Sequence, residues 1–141
     1  MVVSITRMRI RRWWFLPAFF LTSLRAARQA ARAEGNVATS LLRERHRVFW
    51  TRTLWASEDA MKTFMHATPH GPAMRKLLDW ADEASLVHWT QDTSDVPSWE
   101  EAHRRLQQSG RLSKLNYPSE AHNAFRVPPP VVTATSQTHV K

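Results

Sequence analysis

An α+β domain is predicted by three features of this chain: stretches of period-two alternation, stretches of period 3.6 between them, and only 3 glycines, too few for an all-strand design. At 141 residues, with 43% hydrophobic and 23% charged residues, the chain suits one globular core rather than two.

The elements follow in order. Val2 to Ile10, VVSITRMRI, puts Val3, Ile5 and Arg7 on one side and Ser4, Thr6 and Met8 on the other, a β-branched strand. From Pro17, an early-helix residue, Phe20, Leu24, Ala27 and Ala31 recur at helical spacing beside a polar stripe of Thr22, Arg25, Gln29 and Arg32, until Gly35 stops the helix. This region also has marks of an export signal, with Arg11 and Arg12 ahead of an apolar run and Ala31-Arg32-Ala33 as a small-residue site. An opposed polar stripe serves no purpose in a signal but is required of a helix lying on a sheet, so the segment is read as fold.

Val37 to Arg43 and Arg47 to Trp55 form a strand pair across the charged turn Arg43-Glu44-Arg45-His46. In the second of these, Val48, Trp50, Arg52 and Leu54 share one face and Phe49, Thr51, Thr53 and Trp55 the other, so something must cover both. Ser57 caps a helix with Glu58 and Asp59 in its first turn and Ala60, Met61, Phe64 and Met65 as its stripe. Thr68-Pro69-His70-Gly71-Pro72 interrupts it, and Met74, Leu77, Leu78 and Ala81 resume the pattern. Ser85 to Gln91 is the fourth strand. After an acidic linker, Ser98 with Glu101 opens a further helix by a capping-box pattern, closed by Gly110.

Strand, helix, strand, strand, helix, strand is the ferredoxin-like βαββαβ order, here with an extra C-terminal helix. The domain is expected over residues 1–126. Residues 127–141, opening on Pro128-Pro129-Pro130, are expected as a Pro-rich disordered tail. Bulk on both faces of the third strand points to burial against a second subunit, so a homodimer packed sheet to sheet is expected.

Composition removes several function classes. The absence of cysteine excludes disulfides, thiolate metal sites and a cysteine nucleophile. The formal charge of +8 and a pI near 11.2 invite a nucleic-acid reading. However, the arginines are spread over three regions, at 7–12, 25–32 and 43–47, with no zinc finger, aromatic RNA-binding motif or helix-turn-helix to organise them. A solvated basic surface with no nucleic-acid partner is expected. No membrane span is expected, and a cytoplasmic location is expected.

The stretch FWTRTLWASEDAMKTFMHATPHGPAMRKLLDWADEASLVHW, residues 49–89, resembles the spheroidene monooxygenase-like branch of the dimeric α+β barrel superfamily, which also holds the antibiotic biosynthesis monooxygenases. The likeness is carried by the aromatic strand ending at Trp55, the acidic helix start at Ser57, the interrupted helix bearing His70 and Met74, and the strand ending His88-Trp89. The resemblance implies a dimeric α+β barrel with a pocket between the helices and the sheet. Superfamily members include oxygenases, haem-binding proteins and cyclases, so it implies several chemistries.

The candidate site residues are then weighed singly. His70, between Pro69 and Pro72, sits where irregular backbone could aim its imidazole inward as acid, base or iron ligand, or where it simply caps the resumed helix. His66 lies four residues earlier, but Pro69 breaks the shared face, and no carboxylate completes a metal set, so no metal site is expected. His88 is either a ligand or a buried histidine bonded across the sheet. Arg52, among apolar neighbours, needs an acid, a bound anion or a dimer edge, and its forked donors suit a carboxylate or a haem propionate. Trp50, Trp55, Trp80 and Phe64 could wall an apolar substrate or serve as core.

A small monooxygenase acting on an apolar, isoprenoid or polyketide-like substrate of secondary metabolism is the function the resemblance favours. Such an enzyme would use either a noncovalent haem or no cofactor, because the chain lacks a Cys-x-x-Cys-His haem site and a Rossmann glycine fingerprint. A cofactor-free cyclase or isomerase with His70 as proton shuttle, and a noncatalytic ligand-binding dimer, are the alternatives.

Overall fold

Val2–Ile10 forms β1, and its run of β-branched residues suits the centre of a sheet, where a strand is covered on both faces. It pairs antiparallel with β3, Val48–Trp55, on one side and with β4, Ala81–Thr90, on the other. β2, Asn36–Glu44, pairs antiparallel with β3. The helix α1, Leu16–Arg32, joins β1 to β2, and the helices α2, Glu58–Ala67, and α3, His70–Trp80, lie between β3 and β4. The core order β4-β1-β3-β2 is the ferredoxin-like arrangement. This is a computed structural model that describes residues 1–67 and 70–141, with side chains except at 67 and 70–74.

One sheet face carries α1 and α2, where Val2, Ala30, Trp55 and Met61 pack together. Gly35 lets these helices meet: its φ is +85°, and a Cβ there would come within 2.5 Å of the Ala60 Cβ. The other face carries Val3, Ile5, Trp50, Leu54 and Val87 under α4, Trp99–Ser109, whose Trp99, Ala102 and Leu106 are buried against them. Ser98 Oγ accepts from the Glu101 amide at 3.1 Å, the bond the capping pattern required. The bulk on both faces of β3, read from sequence as the mark of a second subunit, is therefore met by helices of the same chain.

The remaining differences from expectation have local causes. The stripe of α1 that is buried is Phe19, Ala27 and Ala30, so Phe20 and Leu24 lie on its flank, 41% and 38% exposed. α3 starts at His70 rather than after Pro72, since proline is tolerated in a first helical turn whose amides need no partner. β4 begins at Ala81, four residues earlier than the alternation suggested. Glu83 thereby stands beside β1, where its carboxylate accepts from Arg7 at 2.9 Å and Arg9 at 3.0 Å.

The tail also departs from expectation. Gln137–His139 forms β6, an edge strand antiparallel to β2, and the short β5, Arg111–Leu112, edges β4. Residues 127–141 were expected to find nothing to pack on. Instead, Val127 joins the core under α4, and Glu44 Oε1 accepts from the Val131 amide at 2.7 Å.

Candidate functional site

Between α1 and the β2–β3 half of the sheet lies a crevice of about 490 Å³. Phe20 and Leu24 of α1, Leu41 and Arg43 of β2, and Phe49 and Thr51 of β3 wall it, with Ser136 and Thr138 of the C-terminal segment at its rim. Its shape follows from the sequence locally. Phe49 and Thr51 alternate toward the helices, and Phe49 meets Phe19 at 4.7 Å and Phe20 edge-on at 5.2 Å, a ring cluster that wedges α1 off the sheet. Arg43 is exposed and has no ion-pair partner among the described residues, so the crevice is apolar with one free cation at its wall.

A second, more open groove of about 600 Å³ runs between α1 and α2. Arg25, Arg28 and Arg32 edge it, above Ala60, Thr63 and Phe64, with Glu34 as the one carboxylate in its lining, so three cations outnumber one anion there.

The expected site residues do not gather in one place. Trp50 touches the crevice and donates its Nε1–H to Glu44 Oε2 at 2.6 Å. Phe64 lines the groove and stacks on the buried Trp55 at 5.2 Å, whereas Trp80 stacks on Phe15 at 6.3 Å. His66 is exposed on α2, and His88 is exposed on β4. The buried histidine of the β4 region is instead His122, which accepts from the Ala84 amide through Nδ1 at 3.2 Å and, in that tautomer, donates to Ser113 O at 3.1 Å. His70 opens α3, and its side chain lies outside the described residues.

Arg52 lies on the α4 face and not at the crevice. Its guanidinium donates to the Pro97 carbonyl at 2.8 Å and to Gln137 Oε1 at 3.2 Å, and it covers the Trp99 ring at 4.1 Å. The sequence demanded an acid, an anion or a dimer edge; two neutral oxygens and a π-face serve instead. Burial without a counter-charge lowers its pKa to about 10.

A haem needs an axial donor and cations for its propionates. Among the described residues no histidine lines the crevice or the groove. Nor, among them, do three metal-ligating side chains converge anywhere.

Two features of the crevice went unread in the sequence. Arg43 was read as a strand end, a turn residue and part of the solvated basic surface, although its two-residue spacing from Leu41 puts both on the helix-facing side of β2. Phe20 and Leu24 were assigned to the core, because a helical period alone does not distinguish a buried stripe from a crevice wall one residue round.

The family model for a domain of unknown function, DUF3291, matches residues 24–137, reaching from α1 into β6. The chain belongs to the DUF3291 family. No curated protein gives a significant match. Among solved structures, this DUF3291 chain is similar to SnoaB, a cofactor-independent oxygenase from Streptomyces nogalater, at 25% identity and a TM-score of 0.51, over 66% of this chain and 94% of that one. It also matches a candidate antibiotic biosynthesis monooxygenase from Nitrosomonas europaea (18% identity, TM-score 0.55, 66% and 100% covered). A conserved protein from Methanosarcina mazei Go1 matches at 10% identity and TM-score 0.55, over 64% and 92% of the two chains. The last two establish the fold, which is that of the antibiotic biosynthesis monooxygenases.

Proposed function

We propose that this chain is a monooxygenase-type oxidoreductase acting on an apolar, ionisable substrate held in the crevice between α1 and the sheet. The observation that carries the reading is the crevice itself: aromatic and aliphatic walls with a single unpaired guanidinium, Arg43, in a chain whose likeness to a cofactor-independent oxygenase extends over 66% of its length. An oxygenase without a cofactor must take its electrons from the substrate, so the substrate has to reach dioxygen as an electron-rich anion. An arylic or enolic methylene satisfies this: it becomes a ketone with one oxygen atom, while the other leaves as water with the two hydrogens. The guanidinium would favour the anion and lower the substrate's pKa, and the apolar walls would strengthen that attraction by excluding water. Arg43 would therefore act by charge and position.

The resemblance of residues 49–89 to the spheroidene monooxygenase-like branch makes isoprenoid or polyketide-like compounds the substrates to try first. His70 is proposed as the proton acceptor, on the sequence pattern alone.

The test is oxygen uptake by the purified chain with a panel of hydroxylated polycyclic and isoprenoid substrates, without added flavin, haem or metal. Turnover is expected. Arg43→Gln should lower kcat/KM by about 100-fold, the scale of one charged stabilising group. Thr51→Trp, which fills the crevice, should abolish turnover while the circular dichroism spectrum stays native. A chain that consumes oxygen only once haem is added, with a Soret band lost in His70→Ala, would replace the proposal by the haem-dependent one. Undiminished turnover in Thr51→Trp would move the site elsewhere.

A further inference from the structure

The stretch that most resembled an export signal, residues 11–32, is built into the fold yet leaves its apolar residues outside. Trp13 and Trp14 are 70% and 55% exposed, and Leu21, Phe20 and Leu24 follow them along α1. These residues are not an accident of a loose end. α1 is anchored beneath by Phe19, Ala27 and Ala30, and the turn before it is pinned by the Arg11 amide, which donates to the Trp80 carbonyl at 2.6 Å.

Charge is laid out along the same surface. Leu24, Arg25, Arg28 and Arg32 lie three, four, seven and eleven residues beyond Leu21, so the outward side of α1 is apolar in its first half and arginine in its second. Those three arginines have no ion-pair partner among the described residues, and α1 holds no acidic residue. At the apolar end Arg11 lies over the rings of Tyr117, at 4.3 Å, and Phe15, at 5.4 Å, and Tyr117 is itself 54% exposed. Tryptophan, tyrosine and arginine together are the side chains that settle at a headgroup boundary, with their rings among the upper acyl carbons and their polar ends in contact with phosphate.

We infer that the Trp13–Trp14 turn and the outward face of α1 form a docking surface for an anionic phospholipid bilayer, with the arginine groove between α1 and α2 taking headgroup phosphates. A second copy of this chain is the poorer occupant. A twofold contact with parallel helices would set the arginines of one copy against those of the other, and an antiparallel one would set them on the partner's apolar half or leave them unpaired; in no case does a second copy supply the counter-charge that a chain of net charge +8 lacks on this face. The helix would lie in the interface and not cross it; among the described residues no helix is long and apolar enough to span. The inference does not depend on the oxygenase reading, although Phe20 and Leu24 also wall the crevice, so its opening and the docking face adjoin.

The test is sedimentation of the full chain with unilamellar vesicles, either of phosphatidylcholine alone or with about one quarter phosphatidylglycerol. Binding to the anionic vesicles is expected, with a blue shift of tryptophan emission and release as salt shortens the screening length. Arg25→Gln, Arg28→Gln and Arg32→Gln together should weaken it about 100-fold, at roughly fivefold for each charge near an anionic surface. Trp13→Ala with Trp14→Ala should weaken it more than about tenfold and remove the blue shift; these side chains are exposed, so native circular dichroism is expected, and Leu21→Asp is the independent check. No binding to anionic vesicles at low salt, or binding undiminished in the double tryptophan variant, overturns the inference. So does a double variant that dissociates a homodimer in a chain that binds no vesicles, which would assign the face to a contact between copies.

Discussion

Glu83 stands where two arginines of β1 converge, and its charge is decided by a contest. Burial alone would raise its pKa, but the hydrogen bonds and charges of Arg7 and Arg9 outweigh that and hold it below its ordinary 4.5. Its neighbour Asp82 goes the other way: burial raises it above 3.8, and Arg9, at 3.8 Å, compensates only in part. The signs follow by linkage. Glu83 contributes stability that is present above its unfolded pKa and lost as pH falls through its folded one, whereas Asp82 contributes stability that is lost as pH rises through its folded value. Asp82→Asn should therefore leave stability near pH 7 equal or higher, and the acid limb steeper. Glu83→Gln, which strands the 4%-exposed Arg7 without a counter-charge, should cost about 3 kcal/mol at pH 7. Urea midpoints at neutral and acid pH measure both, and a Glu83→Gln variant as stable as the parent would remove the pair from the account.

At the scale of elements, β6 closes the fold through one side chain. Gln137 Oε1 accepts from Trp99 Nε1 at 2.6 Å and from Arg52 at 3.2 Å, tying the edge strand to α4 and to β3 together. Gln137→Ala leaves two buried donors unpaired and should cost about 2 kcal/mol. Gln137→Glu keeps both bonds and supplies the charge Arg52 lacks, so its melting temperature at pH 7 should match or exceed the parent's; the gain should vanish as pH falls through the depressed pKa of the new carboxylate. If both variants melt alike, β6 is not held through Gln137.

The same tie marks the limit of what the sequence made legible. Four strands, the two helical crossovers and α4 were readable because period two and period 3.6 are local signals, and so was the capping bond at Ser98. The β6 pairing was not, since Ser40 and His139 meet across 99 positions and Pro128-Pro129-Pro130 stand just before the strand. For the same reason Arg52 was legible as a buried cation, but its partners Pro97 and Gln137 were not. Of the crevice, Trp50 was named, whereas Arg43 was missed because two-residue alternation fixes a face without telling which face has a cavity behind it.

For the whole molecule, the decisive fact is that one chain covers both faces of its own sheet. Trp99, Ala102 and Leu106 of α4 fill the face opposite α1 and α2, and Leu106 is fully buried. A homodimer of this chain would thus have to form elsewhere than sheet to sheet, and the energy of the α4 contact belongs to folding, not to association. These two cases differ in a measurable way, because stability that depends on association rises with protein concentration, whereas stability within one chain does not. The melting temperature of the parent should be independent of concentration over a hundredfold range. Leu106→Ala removes three buried carbons from under the sheet and should cost about 3 kcal/mol, a fall of roughly 10 °C for a domain of this size, equal at every concentration. A parent whose melting point climbs with concentration would show association through another surface, whereas a Leu106→Ala loss that shrinks as concentration rises would mean that α4 lies on a neighbouring copy, and would restore the packing of two chains across the sheet.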